Sequence, residues 1–354
     1  MIKNLKATLL KLLTNVKQNP FRKSDIKKIL ILRYDRIGDM VVSLPVCKAL
    51  KNGFPDASIT MVASEVNYCI ADTCEYIDTV IVKPSVSFQW LWILIGLRRS
   101  RYDITLDLNH AVTPHTIFAI RILKPKHVAT PFKDGRWGVR GSSLKMFDLM
   151  PPAHELKYDR PISETYLDIA RLLQCPTDKC LPYPLRRSAR PSQLADEYLI
   201  LNYTGSRKSM KLDDTDLRII IEHIHGLNTA NRVIIPTMAE DYERLSAKFG
   251  QQKFVDVLPP SPTIEPLLPI VEYAKLVITP DTALVHIASA YEVPLVAVYT
   301  SDKALYRQWR PYPGHHATVI HSTEPKGLNG YSLRELLSSI EAALTTHPSQ
   351  KPKS

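Results

Sequence analysis

Residues 277–290 read Val-Ile-Thr-Pro-Asp-Thr-Ala-Leu-Val-His-Ile-Ala-Ser-Ala, an apolar strand, a Pro-Asp-Thr turn and a helix that starts at once. The first backbone N–H groups of a helix have no partner within it and carry the positive end of its dipole, so they suit a phosphate or diphosphate. His286 follows Thr282 by four residues, which puts both on one helix face. A second strand-turn-helix, Ile29 to Met40, carries Arg33, Arg36, Gly38 and Asp39. In it Asp39 has two readings: a base that takes a proton from an attacking hydroxyl, or a cap on the helix start. Gly38 has no side chain to block a close approach, and Arg33 and Arg36 suit bidentate contact with phosphate or carboxylate, or surface ion pairing. Two such units in two half-chains imply a cleft suited to group transfer.

These turns need strands and helices to hold them, and the chain supplies both alternately. The first half offers strands at Lys28–Leu32, Ser58–Val62, Thr79–Val82, Ile104–Leu108 and His127–Ala129, with a helix at Ser43–Gly53 among them. The second half offers Tyr198–Leu201, Arg232–Ile235, Phe254–Val257, Leu276–Ile278 and Leu295–Val298, with helices at Asp214–Ile224 and Glu240–Phe249. Apolar strands repeated in this way indicate parallel sheets covered on both faces, so the expected class is α/β with doubly wound sheets. We expect an amphipathic arm over 1–25, a first domain over 26–181 and a proline-rich linker over 182–195. A second domain over 196–325, a final helix over 326–345 and a disordered tail over 346–354 complete the division.

The net charge of +11 sits mainly in the arm. Residues 1–30 carry eight Lys/Arg against Asp25 alone, a net of +7 that leaves +4 for the rest. Ile2, Leu5, Leu9, Leu12, Leu13 and Val16 fall at helical spacing between Lys3, Lys6 and Lys11, a pattern that fits either an anionic membrane surface or a helix packed on the body. The run Trp90–Leu97, followed by Arg98, Arg99 and Arg101, is too short to span a bilayer and reads as a helix covering a sheet, with lipid contact by its tryptophans as the alternative. The basic excess lacks the interleaved aromatics that stack on bases, so no nucleic-acid partner is expected. Five cysteines with no C-x-x-C pair point to a reducing cytoplasm. Asp214-Thr215-Asp216 has the form of a metal-binding Asp-x-Asp, but it lies where first-turn acids are ordinary, and no metal site or cofactor is expected.

The stretch Ile29–Pro45, with its Ile-Gly-Asp turn and following proline, resembles the opening of the glycosyltransferase family 9 enzymes, the ADP-heptose:lipopolysaccharide heptosyltransferases. Pro280–Ala288 resembles their Pro-Asp-Thr-Gly-x-x-His-x-Ala signature, with Ala283 in place of the glycine, and Arg101–Leu108 resembles their Tyr-Asp strand. Order and spacing match over roughly residues 28–312. The resemblance implies a GT-B fold, two Rossmann-like domains facing a central cleft, and an inverting transfer with Asp39 as base. It implies a nucleotide-diphospho-sugar donor, ADP-heptose, and a lipid-linked saccharide acceptor of the lipopolysaccharide core or a related saccharide. The chain would then work in the cytoplasm, peripheral on the inner face of the cytoplasmic membrane. Donor contacts would come from Asp281, Thr282, Ala283 and His286, and from a phosphate loop with Thr204, Gly205, Ser206 and either Lys208 or Lys211 as cation. Met238, Glu240 and Asp241 fall where family members hold the nucleoside, and Arg33, Arg36 and Gly38 fall to the acceptor. Two rivals stay open: a sugar-nucleotide epimerase or hydrolase of the same fold, and a non-catalytic polyanion-binding protein.

Overall fold

The structure is a computed structural model that describes residues 2–16, 20–109, 111–133, 139–152, 159–192, 197–205, 207, 209–227, 232–312 and 314–346. It comprises two compact units, Met1–Pro184 and Leu185–Ser354, and the division falls inside the proline-rich stretch.

The first unit runs α1 (Ile2–Thr14), β1 (Lys28–Leu32), α2 (Ile37–Val41), α3 (Leu44–Gly53), β2 (Ser58–Ser64), α4 (Tyr68–Asp72) and β3 (Thr79–Lys83). It continues with α5 (Ser87–Arg98), β4 (Ile104–Asp107), α6 (Pro114–Leu123), β5 (His127–Ala129) and α7 (Ile162–Leu172). The five strands are parallel in the order β3-β2-β1-β4-β5. β1 and β4 are buried on both faces, which is why each reads as a continuous apolar run rather than an alternating one. The chain leaves β1 in one direction and returns to β4 on its other side, so the sheet's switch point lies between β1 and β4. Ligands of open α/β sheets bind beyond the carboxyl ends of the strands at such a point.

The second unit repeats the plan: β6 (Tyr198–Leu201), α8 (Asp214–Gly226), β7 (Arg232–Pro236), α9 (Tyr242–Phe249), β8 (Val255–Leu258), α10 (Leu267–Glu272) and β9 (Leu276–Pro280). It ends with α11 (Ala283–Tyr291), β10 (Leu295–Tyr299), α12 (Lys303–Trp309), β11 (Ala317–His321) and α13 (Leu333–Thr346). Its parallel order β11-β10-β9-β6-β7-β8 places the switch between β6 and β9. The expected GT-B class, two Rossmann-like units, is the class observed.

The sequence expectations miss some features for physical reasons. β11 was not expected because it is an edge strand in which only Ile320 is buried, so it has no apolar run. Thr346, assigned to a disordered tail, closes α13, and the rest of that tail lies outside the described residues. α5 packs Trp90, Leu94 and Leu97 inward, and α1 buries Leu10 and Thr14. Asp213 caps α8, Asp214 pairs with Arg244 and Lys248, and Asp216 accepts from Tyr331, so the Asp-x-Asp carboxylates serve the fold.

Asp103 ties the entrance of β1 to β4. Its carboxylate accepts the N–H groups of Lys27 and Lys28 at 2.9 Å each and the Lys126 ammonium at 2.6 Å. Burial alone would raise its pKa, but these partners outweigh burial and hold it below the usual range. Asp103→Ala should therefore destabilise the first unit by about 2–3 kcal/mol in urea unfolding, since two amides lose their acceptor. In the parent chain this contribution is complete above the unfolded carboxylate value and disappears as pH falls through the lower folded one.

Candidate active site

Strand β1 leads directly into Arg33, whose side chain is 0% exposed. A guanidinium has five N–H donors, and each has a partner here. Nε donates to the backbone oxygen of Asp39 at 3.1 Å. Nη1 donates to Asp35 Oδ2 at 3.1 Å and to the Leu108 carbonyl at 2.9 Å, and Nη2 to Asp39 Oδ1 at 2.8 Å and the Tyr166 hydroxyl at 2.7 Å. The contact with Leu108 crosses the switch point from β1 to the end of β4. Arg33 is thus corrected from acceptor ligand to internal anchor, because no N–H remains for a ligand.

Asp39 lies in the first turn of α2 but caps nothing; the residue before α2 is Arg36, and no side chain caps its amides. Oδ1 is held by Arg33, while Oδ2 accepts no hydrogen bond among the described residues, and the side chain is 13% exposed. One oxygen is fixed and the other is open, as a base requires. Arg36 is exposed on the same loop and Gly38 is half-buried. Among the described residues the Arg36 side chain has no hydrogen bond or ion pair that would commit it elsewhere.

Beneath this loop lies a second ion pair that the sequence did not reveal. Lys133 Nζ is 3.0 Å from Asp107 Oδ2, both side chains being 0% exposed, and also donates to the Asn109 carbonyl. Asp107 Oδ1 accepts from the Asn109 side chain at 2.7 Å. Burial lowers the Lys133 pKa, opposed by Asp107. Arg33, Lys133, Asp35, Asp39 and Asp107 therefore pack three carboxylates against two cations. A carboxylate closing the apolar strand β4 was a legible signal for Asp107. Lys133, in a loop after β5, and Tyr166, in mid-helix, had none.

In the second unit the ends of β7, β6 and β9, neighbours in the sheet, carry the expected donor residues. Asn202 donates to Thr279 Oγ1 at 2.8 Å and to the Thr204 carbonyl at 2.9 Å, which ties the β6 and β9 loops together. Thr279 Oγ1 lies 3.1 Å from Thr282 Oγ1, and Thr282 caps α11 by accepting from Leu284 N at 3.2 Å. The amides of Thr282 and Ala283 meet no acceptor among the described residues, so these two N–H groups are the open donors at the positive end of α11. Ala283 is the first helical residue and is not among those with positive φ, so alanine replaces the family's glycine without backbone strain. His286 is buried and its pKa is pushed down to about 4 by burial, which keeps it neutral; its ring lies 6.1 Å from that of Trp309.

Other expectations need correction. The loop after β6 turns back as a hairpin in which Gly205 N donates to Met210 O at 2.6 Å, and Thr204 bridges Lys211. A Cβ at Gly205 would lie 2.6 Å from Met210 Cβ, so glycine serves this close approach. The Gly205 amide is used within the hairpin, and the Thr204 amide makes a long 3.4 Å contact with Asn202 Oδ1. Lys211 is paired with Asp241 at 2.6 Å. Asp241 also accepts from Tyr203 at 2.9 Å and Arg244 at 2.9 Å; burial would raise its pKa, but these three partners hold it at about 2. It is a hub between strand ends, with its oxygens committed before any ribose arrives. Met238 is exposed and stays available. Ser206 and Lys208 lie outside the described residues.

Asp281 completes the β9 turn. Its amide donates to Val298 O at 3.0 Å, while its carboxyl has no hydrogen bond among the described residues. Burial pushes its pKa up to about 7, with Arg207 opposing.

Two Rossmann-like units, each with polar residues gathered at its switch point, make up the GT-B architecture. The sequence profile described as glycosyltransferase family 9 (heptosyltransferase) matches residues 144–329, just over half of the chain. The chain belongs to glycosyltransferase family 9, and it is a glycosyltransferase. Among solved structures it is similar to a family 9 glycosyl transferase from Veillonella parvula, at 15% identity and a TM-score of 0.71, covering 92% of this chain and 99% of that one. It is also similar to ADP-heptose lps heptosyltransferase II of E. coli, at 17% identity and 0.68, covering 91% and 100%. UDP-GlcNAc 2-epimerase from Methanocaldococcus jannaschii shares the fold more loosely, at 14% identity and 0.51, covering 92% and 94%. No curated protein sequence matches the chain.

An acid whose folded pKa lies above its unfolded one stabilises the fold only while protonated. Stability should therefore fall as pH rises from about 4 to about 7 through Asp281. Asp281→Asn should remove this loss and make the second unit more stable at pH 8, by up to about 4 kcal/mol at about 1.4 kcal/mol per pKa unit. Thermal melts of both chains at pH 5 and pH 8 would show it; equal melting shifts at both pH values would refute it.

Proposed function

We propose that this chain transfers a sugar from a nucleotide-diphospho-sugar to a saccharide acceptor with inversion, the sugar being heptose and the donor ADP-heptose. The acceptor is a lipid-linked saccharide of the lipopolysaccharide core or a relative of it. Family membership supports the reaction class, and the asymmetry of Asp39, one oxygen held by Arg33 and the other open, carries the mechanism.

In this reading Asp39 Oδ2 takes the proton of an acceptor hydroxyl as that oxygen attacks the anomeric carbon opposite the diphosphate. The bond from carbon to the diphosphate oxygen breaks, its electron pair leaves with the diphosphate, and the configuration inverts. The open amides of Thr282 and Ala283 receive the leaving charge at the start of α11, and the Asp281 carboxyl meets sugar hydroxyls. Met238 lies against the nucleoside, Arg36 and Gly38 serve the acceptor, and His286 supports the turn as a neutral ring. Because amides and a helix end meet the diphosphate, the reading needs no metal ion, and chelation with EDTA should leave turnover unchanged. Five buried cysteine thiols suit a reducing cytoplasm.

Calorimetry with a panel of nucleotide sugars, followed by turnover with Asp39→Asn, tests the reading. The variant should bind donor as the parent does and transfer about 10²–10⁴-fold more slowly. Equal turnover would remove Asp39 from the mechanism. Donor consumed without acceptor, at the rate seen with it, would favour the hydrolase or epimerase reading. Arg33→Lys should also slow transfer by about tenfold or more with donor affinity unchanged, since one ammonium cannot replace five directed donors.

A further inference from the structure

Helices α5 and α6 cover one face of the first sheet. The path β1-β2-β3 crosses the sheet in one direction and β3-β4-β5 in the other, so right-handed crossovers place α5 and α6 on the same side. α6 contacts both α5 and α1, making a three-helix outer layer. Its inward residues, among them Leu10, Leu94, Leu97, Ile117 and Ile120, belong to one core cluster with the strands.

The outward residues are the unusual part. Leu9, Leu12, Leu13, Phe88, Trp92 and Phe118 are 43% to 66% exposed. Phe88 and Trp92 meet edge to face, their ring centroids 6.0 Å apart. Single exposed apolar side chains are ordinary, but a shared face of this kind marks an interaction surface. Charge narrows the partner: across α1, α5 and α6 there is no Asp or Glu, while Lys6, Lys11, Arg98 and Arg121 are all present. A second copy would bring the same cations to the contact and be repelled by them. A bilayer with anionic headgroups matches both features, since aromatic and leucine side chains enter the interface while lysine and arginine meet phosphates. None of the three helices is long or apolar enough to cross a membrane, so the contact lies along the surface.

We propose that the outer face of α1, α5 and α6 docks this protein on an anionic lipid bilayer. The proposal rests on this surface alone and stands or falls apart from the transferase reading. Co-sedimentation of the full chain with vesicles of phosphatidylethanolamine and phosphatidylglycerol should show binding that weakens with salt and is much poorer on phosphatidylcholine. Phe88→Ser with Trp92→Ser should lower partitioning about tenfold or more, with thermal unfolding and nucleotide-sugar binding unchanged because both residues are exposed. Brominated acyl chains should quench fluorescence of the parent, and Trp92→Phe should lose most of that quenching. Absence of binding to the anionic vesicles, unchanged binding by the double variant, or a dimer that the same variant dissociates would each overturn the proposal. A chain that binds vesicles yet transfers no sugar would overturn the transferase reading and leave the docking surface intact.

Discussion

The Arg33 guanidinium is the constraint on which the first unit's chemistry depends. From one planar group it donates to the backbone and carboxylate of Asp39, the Asp35 carboxylate, the Leu108 carbonyl just past β4 and the Tyr166 hydroxyl. Burying a charge is costly unless every donor is met, and breaking one partner leaves the rest uncompensated. That requirement makes the loop geometry cooperative. Asp39 cannot drift without freeing Arg33, and Arg33 cannot move without opening the β1–β4 junction. The second ion pair, Lys133 with Asp107, keeps the neighbouring strand end at the same junction under a similar constraint.

The second unit solves a related problem with neutral groups. Asn202, Thr279 and Thr282 link β6 to β9 through amide and hydroxyl contacts, and Tyr203 and Asp241 link β6 to the loop after β7. Charge is kept to the side, in the Lys211–Asp241–Arg244 group, while the helix start keeps two amides open. The two switch points thus differ: the first is built on buried charge, the second on hydroxyl and amide groups.

Much of the fold was legible because its strands are buried on both faces, so that runs such as Ile29–Leu32 and Leu276–Ile278 announce themselves. Edge strand β11, with one buried residue, did not. Residue types in the two turns were equally legible; their partners were not. Arg33 looked like a ligand because a sequence shows that a guanidinium is present but not that its five donors are spent. Lys211 and Asp241 looked like two ligands and form one ion pair, thirty positions apart in the chain, which spacing cannot disclose. Gly205 was expected to face phosphate through resemblance to the family's loop of small hydroxyl residues, whereas here the residue lets a hairpin close.

Ala283 at the start of α11 has a wider meaning. Its backbone is relaxed, so the methyl group costs the helix nothing and makes itself felt only by what rests on the turn. In the proposed reading, where the diphosphate rests on these amides, the methyl acts as a spacer that a bare backbone would lack. On that reading, side-chain size at this one position is free to vary without disturbing the scaffold, a freedom denied to Arg33, whose every neighbour constrains it.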